Sequence, residues 1–420
     1  MSLFGALFTG VSALSSQSQS MAMISNNIAN VNTVGYKRVY ADFTSLVTGS
    51  GSGTYAPGGV QARTLATTAS QGILQQTSNA TDIAISGNGF FVVRREPNDT
   101  QEVLYSRAGS FSEDNSGYMR NTAGMVLYGW PLDSNGEIPA SNSNIGSLVP
   151  VNVSFLGGQT KATTSATLAL NLNAGQATGA TAPHFTREIT VYDTLGSAQT
   201  LSLEFVRTGT NAWTMDVKDG NGDSLLPDTT TVPDGIGDPV TVTFSSDGSI
   251  DEIAGVAATS LSVAGISWGN GSSTQTIDLN LANLTQFDAD YNVVNITQNG
   301  AELGLRTGVQ IDRYGKVFAT FSNGTTAQLF QLPLATFANP NGLKEQSGNA
   351  YSITTESGDY NLREAGASGS GLVAPNSLEG SNVDLADEFS KMIITQRAYS
   401  AGTKVITTAD QMLQELLQTR

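Results

Sequence analysis

Apolar residues recur every seven positions at both ends of the chain and every second position through most of what lies between. Leu7, Leu14, Met21 and Ile28 fall seven apart, with Phe4, Val11, Ile24 and Val31 beside the same stripe. A 3.5-residue seam of this kind predicts an amphipathic helix with a coiled-coil-like contact face. Gly35 supplies a stop, and Asn26, Asn27, Asn30 and Asn32 crowd the last turns before it. From about Asn382 the pattern returns in Leu385, Met392, Tyr399, Ile406 and Leu413, flanked by Phe389 and Ile393. Asp384, Asp387 and Glu388 lie near the start of this segment, where the helix dipole favours negative charge.

Between the ends the period is that of β-strands. GSGSGTYAPGG at 49–59 reads as a flexible or extended connector. DIAISGNGFFVV alternates and then runs apolar, with SGNG as a hairpin-type turn, and short strands continue through YSRAGSFSEDNSGYMRNTAGMVLYGW. Alternation is clean in ATLALNLNA, REITVYDTL, QTLSLEFVR, AWTMDVKD and PVTVTFS, and hairpins resume after 291. The predicted architecture is mainly β with α-helical termini, nested as a multi-domain chain. Residues 1–32 plus 380–420 form an inner helical domain whose terminal helices pair in coiled-coil fashion, and 33–70 is a connecting segment. Residues 71–146 plus 291–370 form a first β-domain, and 147–290 an inserted outer β-domain.

Composition narrows the function. Charged residues are 13% of the 420, and the formal net charge is −16, which argues against nucleic acid and anionic membrane surfaces as partners. The stretch 147–290 holds 15 Asp and Glu against 4 Lys and Arg and so carries most of that charge. There is no cysteine, hence no disulfide and no thiolate metal site. His184, the single histidine, reads as an ordinary strand-flanking residue beside Phe185, so no Ser–His–acid triad is credible and neither an enzyme nor a cofactor is expected. DGNGD at 219–223 has the opening spacing of a calcium loop, but Ser224 stands where that loop requires Gly and Thr230 where it requires Glu. A strand-connecting turn is the expected outcome, and no metal site is assigned. The opening MSLFGALFTGVSALSS lacks a basic n-region, the first cationic side chain being Lys37, so no cleaved signal is expected. No apolar stretch is long enough to span a bilayer, which predicts no membrane insertion.

A long helix with one apolar stripe is marginal alone, so the two ends pair with each other or with copies of themselves. Periodicity leaves intramolecular core and polymer interface both open. Three features favour assembly: the matched ends, the absence of charge on the outer face of the first helix, and the small pair Ala401–Gly402 that allows close helix contact.

The stretches ISNNIANVNTVGYK and NVDLADEFSKMIITQRAYSAGTKVITTADQML resemble the rod and hook axial protein family of the bacterial flagellum. DIAISGNGFFVV followed by YSRAGSF is similar to the first β-domain that hook and distal rod proteins share. Chain length and the segment ITVYDTLGSAQTLSLEF…AWTMDV place the resemblance with the hook branch. The resemblance implies a subunit that self-assembles into a curved tube, a universal joint passing torque from rod to filament around an export channel. It implies that Leu7, Val11, Leu14, Met21 and Ile28 pack against Leu385, Phe389, Met392, Ile393, Tyr399, Ile406 and Leu413 and against neighbouring subunits. Asn26, Asn27 and Asn30 match the family's amide run, and Gly35 and Tyr36 its turn into the connecting segment. The implied partners are further copies of the chain, the distal rod, hook cap and hook–filament junction proteins, and the flagellar type III export apparatus. The implied location is extracellular, in the hook. A distal rod or other axial protein is the alternative within the family; a secreted β-rich adhesin or tail-fibre protein is the alternative outside it.

Overall fold

The computed structural model describes residues 3–47, 57–97, 102–133, 136–138, 144–154, 157–227, 237–367 and 369–418. Most of the expected connector, 49–56, lies outside the described residues. The chain divides into two compact units, one of residues 1–155, 309–319 and 328–420, the other of 156–308 and 320–327.

In the first unit the two terminal segments are helices, α1 (Leu3–Ala29) and α2 (Leu385–Gln418). At 27 and 34 residues they are about 40 and 50 Å long by the rise of an α-helix. They lie antiparallel: Asn27 near the end of α1 meets Glu388 near the start of α2, and Leu14 meets Gly402. The segment expected to be a plain connector is instead an antiparallel hairpin, β1 (Val39–Val47) with β2 (Pro57–Ala66), laid along α1. Ser16 Oγ donates to Val60 O at 3.1 Å, and Val60 N–H donates to Ser12 Oγ at 3.2 Å. Serine hydroxyls of the helix thus satisfy backbone groups at the open edge of β2, which two paired strands alone leave unpartnered.

The rest of this unit is an antiparallel β-domain around Phe90, Val92, Tyr105, Val126, Tyr128, Trp130, Ala335 and Tyr351. Phe90–Arg94 is central, paired with Leu104–Ser106, Val126–Pro131 and Pro333–Thr336. The SGNG hairpin does not form. Ile83–Ser86 pairs with Leu372–Pro375, far along the chain, and Ser377–Glu379 pairs with Leu74–Gln76. The strands on either side of SGNG are almost wholly buried, so each takes partners in a different sheet, and Gly87 and Gly89 turn the corner with φ of +107° and +137°.

The second unit is a two-sheet sandwich. The strands Phe185–Tyr192, Ala198–Gly209, Ala212–Lys218, Val240–Phe244 and Ile250–Ile253 follow one another as an antiparallel meander. The other sheet runs Ser260–Ile266, Gln275–Phe287, Ser165–Asn173, Asn292–Gln298, and its middle pair is parallel. Burial follows the sequence alternation: Leu168, Leu170 and Leu172 from one sheet and Leu201, Leu203 and Phe205 from the other share a single core. Trp213 Nε1 donates across it to Gln286 Oε1 at 2.8 Å. His184 is structural, its Nδ1 accepting from the Arg207 N–H at 3.0 Å. In DGNGD the Asp219 carboxylate accepts from the N–H groups of Asn221 and Asp223 at 2.8 and 2.9 Å, which makes the segment a turn.

Candidate assembly interface

The face that α2 turns to α1 is built from small and polar side chains. Glu388, Thr395 and Ala409 are buried, and with Gly402 they repeat every seven residues. This row lies three positions after the apolar row Leu385–Met392–Tyr399–Ile406–Leu413. A Cβ on Gly402 would lie 3.0 Å from Leu14 Cδ2, and a Cβ on Gly10 would lie 3.1 Å from Ile406 Cγ1. The two glycines let each helix receive a large side chain of the other, which draws the axes together.

The amide run closes this contact at one end. Asn27 is 1% exposed and uses its whole hydrogen-bonding capacity. Its Nδ2 donates to Glu388 Oε2 at 2.9 Å and to Val39 O at 2.7 Å; its Oδ1 accepts from Val39 N–H and Tyr36 Oη, both at 3.0 Å. Asn26 donates to Tyr36 Oη at 3.2 Å, and Asn30 donates back to Asn26 O at 2.9 Å. Burial, with Glu345 and Glu388 nearby, pushes the Tyr36 hydroxyl up to about 12. Arg38 Nε lies 2.9 Å from Glu388 Oε1 and neutralises the buried carboxylate. Gly35 has φ +70°, and a Cβ there would fall 2.6 Å from Ala108 N, so only glycine fits the turn.

The residues expected to pack against the other helix and against neighbouring subunits divide into two groups in the single chain. Leu385, Phe389, Ile393, Tyr399 and Val11 are exposed, whereas Leu7, Leu14, Met21, Ile28, Met392, Ile406 and Leu413 are half-buried. The reason is the seam of small and polar residues around Gly10 and Gly402: helices in close approach exclude large side chains to the flanks. Sequence periodicity also missed Phe8 and Ile394, which are 64% and 66% exposed. Among the described residues of the helical pair, ten large apolar side chains face outward: Phe4, Phe8 and Val11 on α1, and Leu385, Phe389, Ile393, Ile394, Tyr399, Val405 and Met412 on α2. Each is worth about 1.5–3 kcal/mol when removed from water. A groove between α1, β1 and α2, floored by Met23, Ile24 and Tyr40 and walled by Ile394 and Ala398, continues this surface. Exposed apolar area of this extent marks an association surface. No helix among the described residues is long and apolar enough to cross a membrane.

Four family models match: "Flagella basal body rod protein" over 7–37, "Flagellar hook protein FlgE/F/G D1 domain" over 84–154, "Flagellar basal body protein FlaE D2 domain" over 159–301, and "Flagellar basal body rod FlgEFG protein C-terminal" over 374–419. Among whole-chain relatives, the flagellar hook protein FlgE of Rhizobium meliloti is 33% identical, with 99% of each chain covered. Those of Caulobacter vibrioides and Escherichia coli are 31% and 32% identical, covering 99% and 98% of each chain. A crystal structure of Helicobacter pylori flagellar hook protein FlgE2 covers 73% of this chain and all of its own at 14% identity and a TM-score of 0.49. On full-length identity above 30% to chains of one name, and with rod and hook models matching from Leu7 to Thr419, the protein belongs to the flagellar hook protein family.

Proposed function

We propose that this protein is the structural subunit of a flagellar hook, polymerising into a curved tube that carries torque from rod to filament and encloses an export channel. The observation that carries the reading is the outward-facing apolar surface of the helical pair, on flanks that the chain's own β-domains leave uncovered. Copies of the same pair, side by side, bury it on several faces at once. That supports an inner layer of terminal helices with the β-domains outside. The outer sandwich is acidic, and its turns are rich in Ser, Thr, Asn and Gly. Hydrated surfaces of that kind slide past one another more readily than apolar ones, which suits a polymer that bends at every revolution. Delivery through the flagellar type III apparatus, and contacts with distal rod, cap and hook–filament junction proteins, belong to the same proposal.

The test is electron microscopy of the purified full chain under assembly conditions. Curved tubes with α1 and α2 lining the lumen are the expected result. A straight, rigid shaft favours a rod protein, and a monomer that never assembles removes the proposal.

A further inference from the structure

Lys37, Arg107 and Glu379 form a buried charge cluster away from the apolar flanks. Glu379 Oε1 accepts from Lys37 Nζ at 2.5 Å and from Gly72 N–H at 2.8 Å, and its Oε2 accepts from Arg107 Nη1 at 3.2 Å. The side chains of Lys37 and Glu379 are 0% exposed and that of Arg107 2%. Lys37 also donates to Ser70 O at 2.6 Å, and Arg107 Nη2 to Gly87 O at 3.0 Å. Burial pushes the Lys37 ammonium below the ordinary lysine value while Glu379 beside it holds it up.

The three charges come from three parts of the unit. Lys37 lies between α1 and β1, Arg107 in the β-domain, and Glu379 just ahead of α2. One carboxylate therefore grips the root of the helical pair and the body of the β-domain together. Further polar contacts surround it. Gly35 N–H donates to Glu379 O at 2.8 Å, Asn349 Nδ2 to Val34 O at 2.9 Å, and Arg38 N–H to Asn382 Oδ1 at 2.7 Å. Asn382 Nδ2 in turn reaches Thr67 O and Ser70 O, both at 3.2 Å. A hinge is made of solvated backbone with few cross-links; this junction is buried at its charged centre and cross-linked around it. Its energetics are all-or-none: without the carboxylate, two buried cations face each other unpaired.

We propose that Glu379 locks the terminal helices and the first β-domain into one rigid lever, so that the junction at 33–38 and 379–383 takes no share of the bending. The lock is a property of the single chain; its consequence for bending rests on the hook reading. Deformation then falls to the contacts between subunits.

Hydrogen exchange of the full-length chain tests this. In Glu379→Gln, exchange at 33–38 and 379–383 is expected to rise at least tenfold while Phe90–Arg94 stays as protected as in wild type. Should that variant not fold, the Lys37→Met/Glu379→Gln double variant, which relieves the cation repulsion, decides with the same readout. Wild-type protection at the junction in a folded variant overturns the lock. Equal loss of protection at Phe90–Arg94 in the double variant also overturns it, because the cluster is then a general part of the fold. Failure of the wild-type chain to form tubes would remove the hook reading and leave the exchange result standing.

Discussion

Asn27 and Glu388, 361 positions apart, hydrogen-bond through their side chains at 2.9 Å and set the register of the two terminal helices. Replacing Asn27 by Ala removes the side-chain partner of the Val39 N–H and carbonyl, leaves the Tyr36 hydroxyl proton without its acceptor, and takes the amide donor from the Glu388 carboxylate, which keeps Arg38, all in a buried site. At about 1–3 kcal/mol for each unsatisfied group, the expected loss is about 3 kcal/mol or more. Asn30→Ala, at a half-exposed position, is expected to cost under about 1 kcal/mol. Urea unfolding of the monomer compares them, and equal midpoints would refute the special place of Asn27.

Gly402→Val sets a branched side chain where Leu14 already stands. The helices are expected to separate and assembly to cease, with Trp130 and Trp213 fluorescence unchanged because both tryptophans lie in β-cores. Tubes of normal yield from this variant would show that α1 and α2 need no close approach.

Ile394→Asp and Phe8→Asp change exposed positions and are expected to alter monomer stability by less than about 0.5 kcal/mol while abolishing polymerisation. Ile406→Asp, facing Gly10, is expected to lower both. Thermal melts paired with sedimentation separate the outcomes. Tubes formed by either exposed-site variant would show that those side chains are not part of the subunit contact.

Tyr36 titrates near 12 in the folded chain against an ordinary tyrosine value of 10.0. Folding favours its neutral form, so its contribution is fully present below pH 10 and is lost as pH rises to 12, about 2–3 kcal/mol across the interval. Tyr36→Phe is expected to be less stable at neutral pH, through its lost hydrogen bonds, and to show less additional loss above pH 10. The difference between the two stability–pH curves is the measurement; parallel curves would exclude the shift.

The two helices and the alternating strands of the second unit's sandwich were readable because each follows from a local period, whereas α1 ends at Ala29, ahead of the Gly35 stop. The seven-residue spacing of the seam was readable, and the small pair Ala401–Gly402 pointed to the close contact that Gly402 makes with Leu14. Close approach also selects Gly10, Thr395 and Ala409, which hydropathy does not distinguish from surface. Ser16 carries no hydropathy signal, yet its hydroxyl serves the β2 edge. Lys37 stood out as the first charge after an uncharged stretch. Its partner, 342 positions later, did not, since pairing over such a distance leaves no local trace. The SGNG turn failed for the same reason, its neighbour strands being claimed by residues near the far end of the chain.

That distant pairing also has a kinetic side. Among the described residues, Leu74–Gln76 and Ile83–Ser86 pair as strands with residues 372–379, so these pairings wait until almost the whole of this chain is present. The sandwich of the second unit is drawn from one contiguous run and closes its own core. Closing a loop of some three hundred residues costs chain entropy that grows only logarithmically with length, yet contacts of such long range form slowly. Residues 372–379 are therefore expected to complete the first β-domain late, with the sandwich forming ahead of the pairings that join the two ends of the chain.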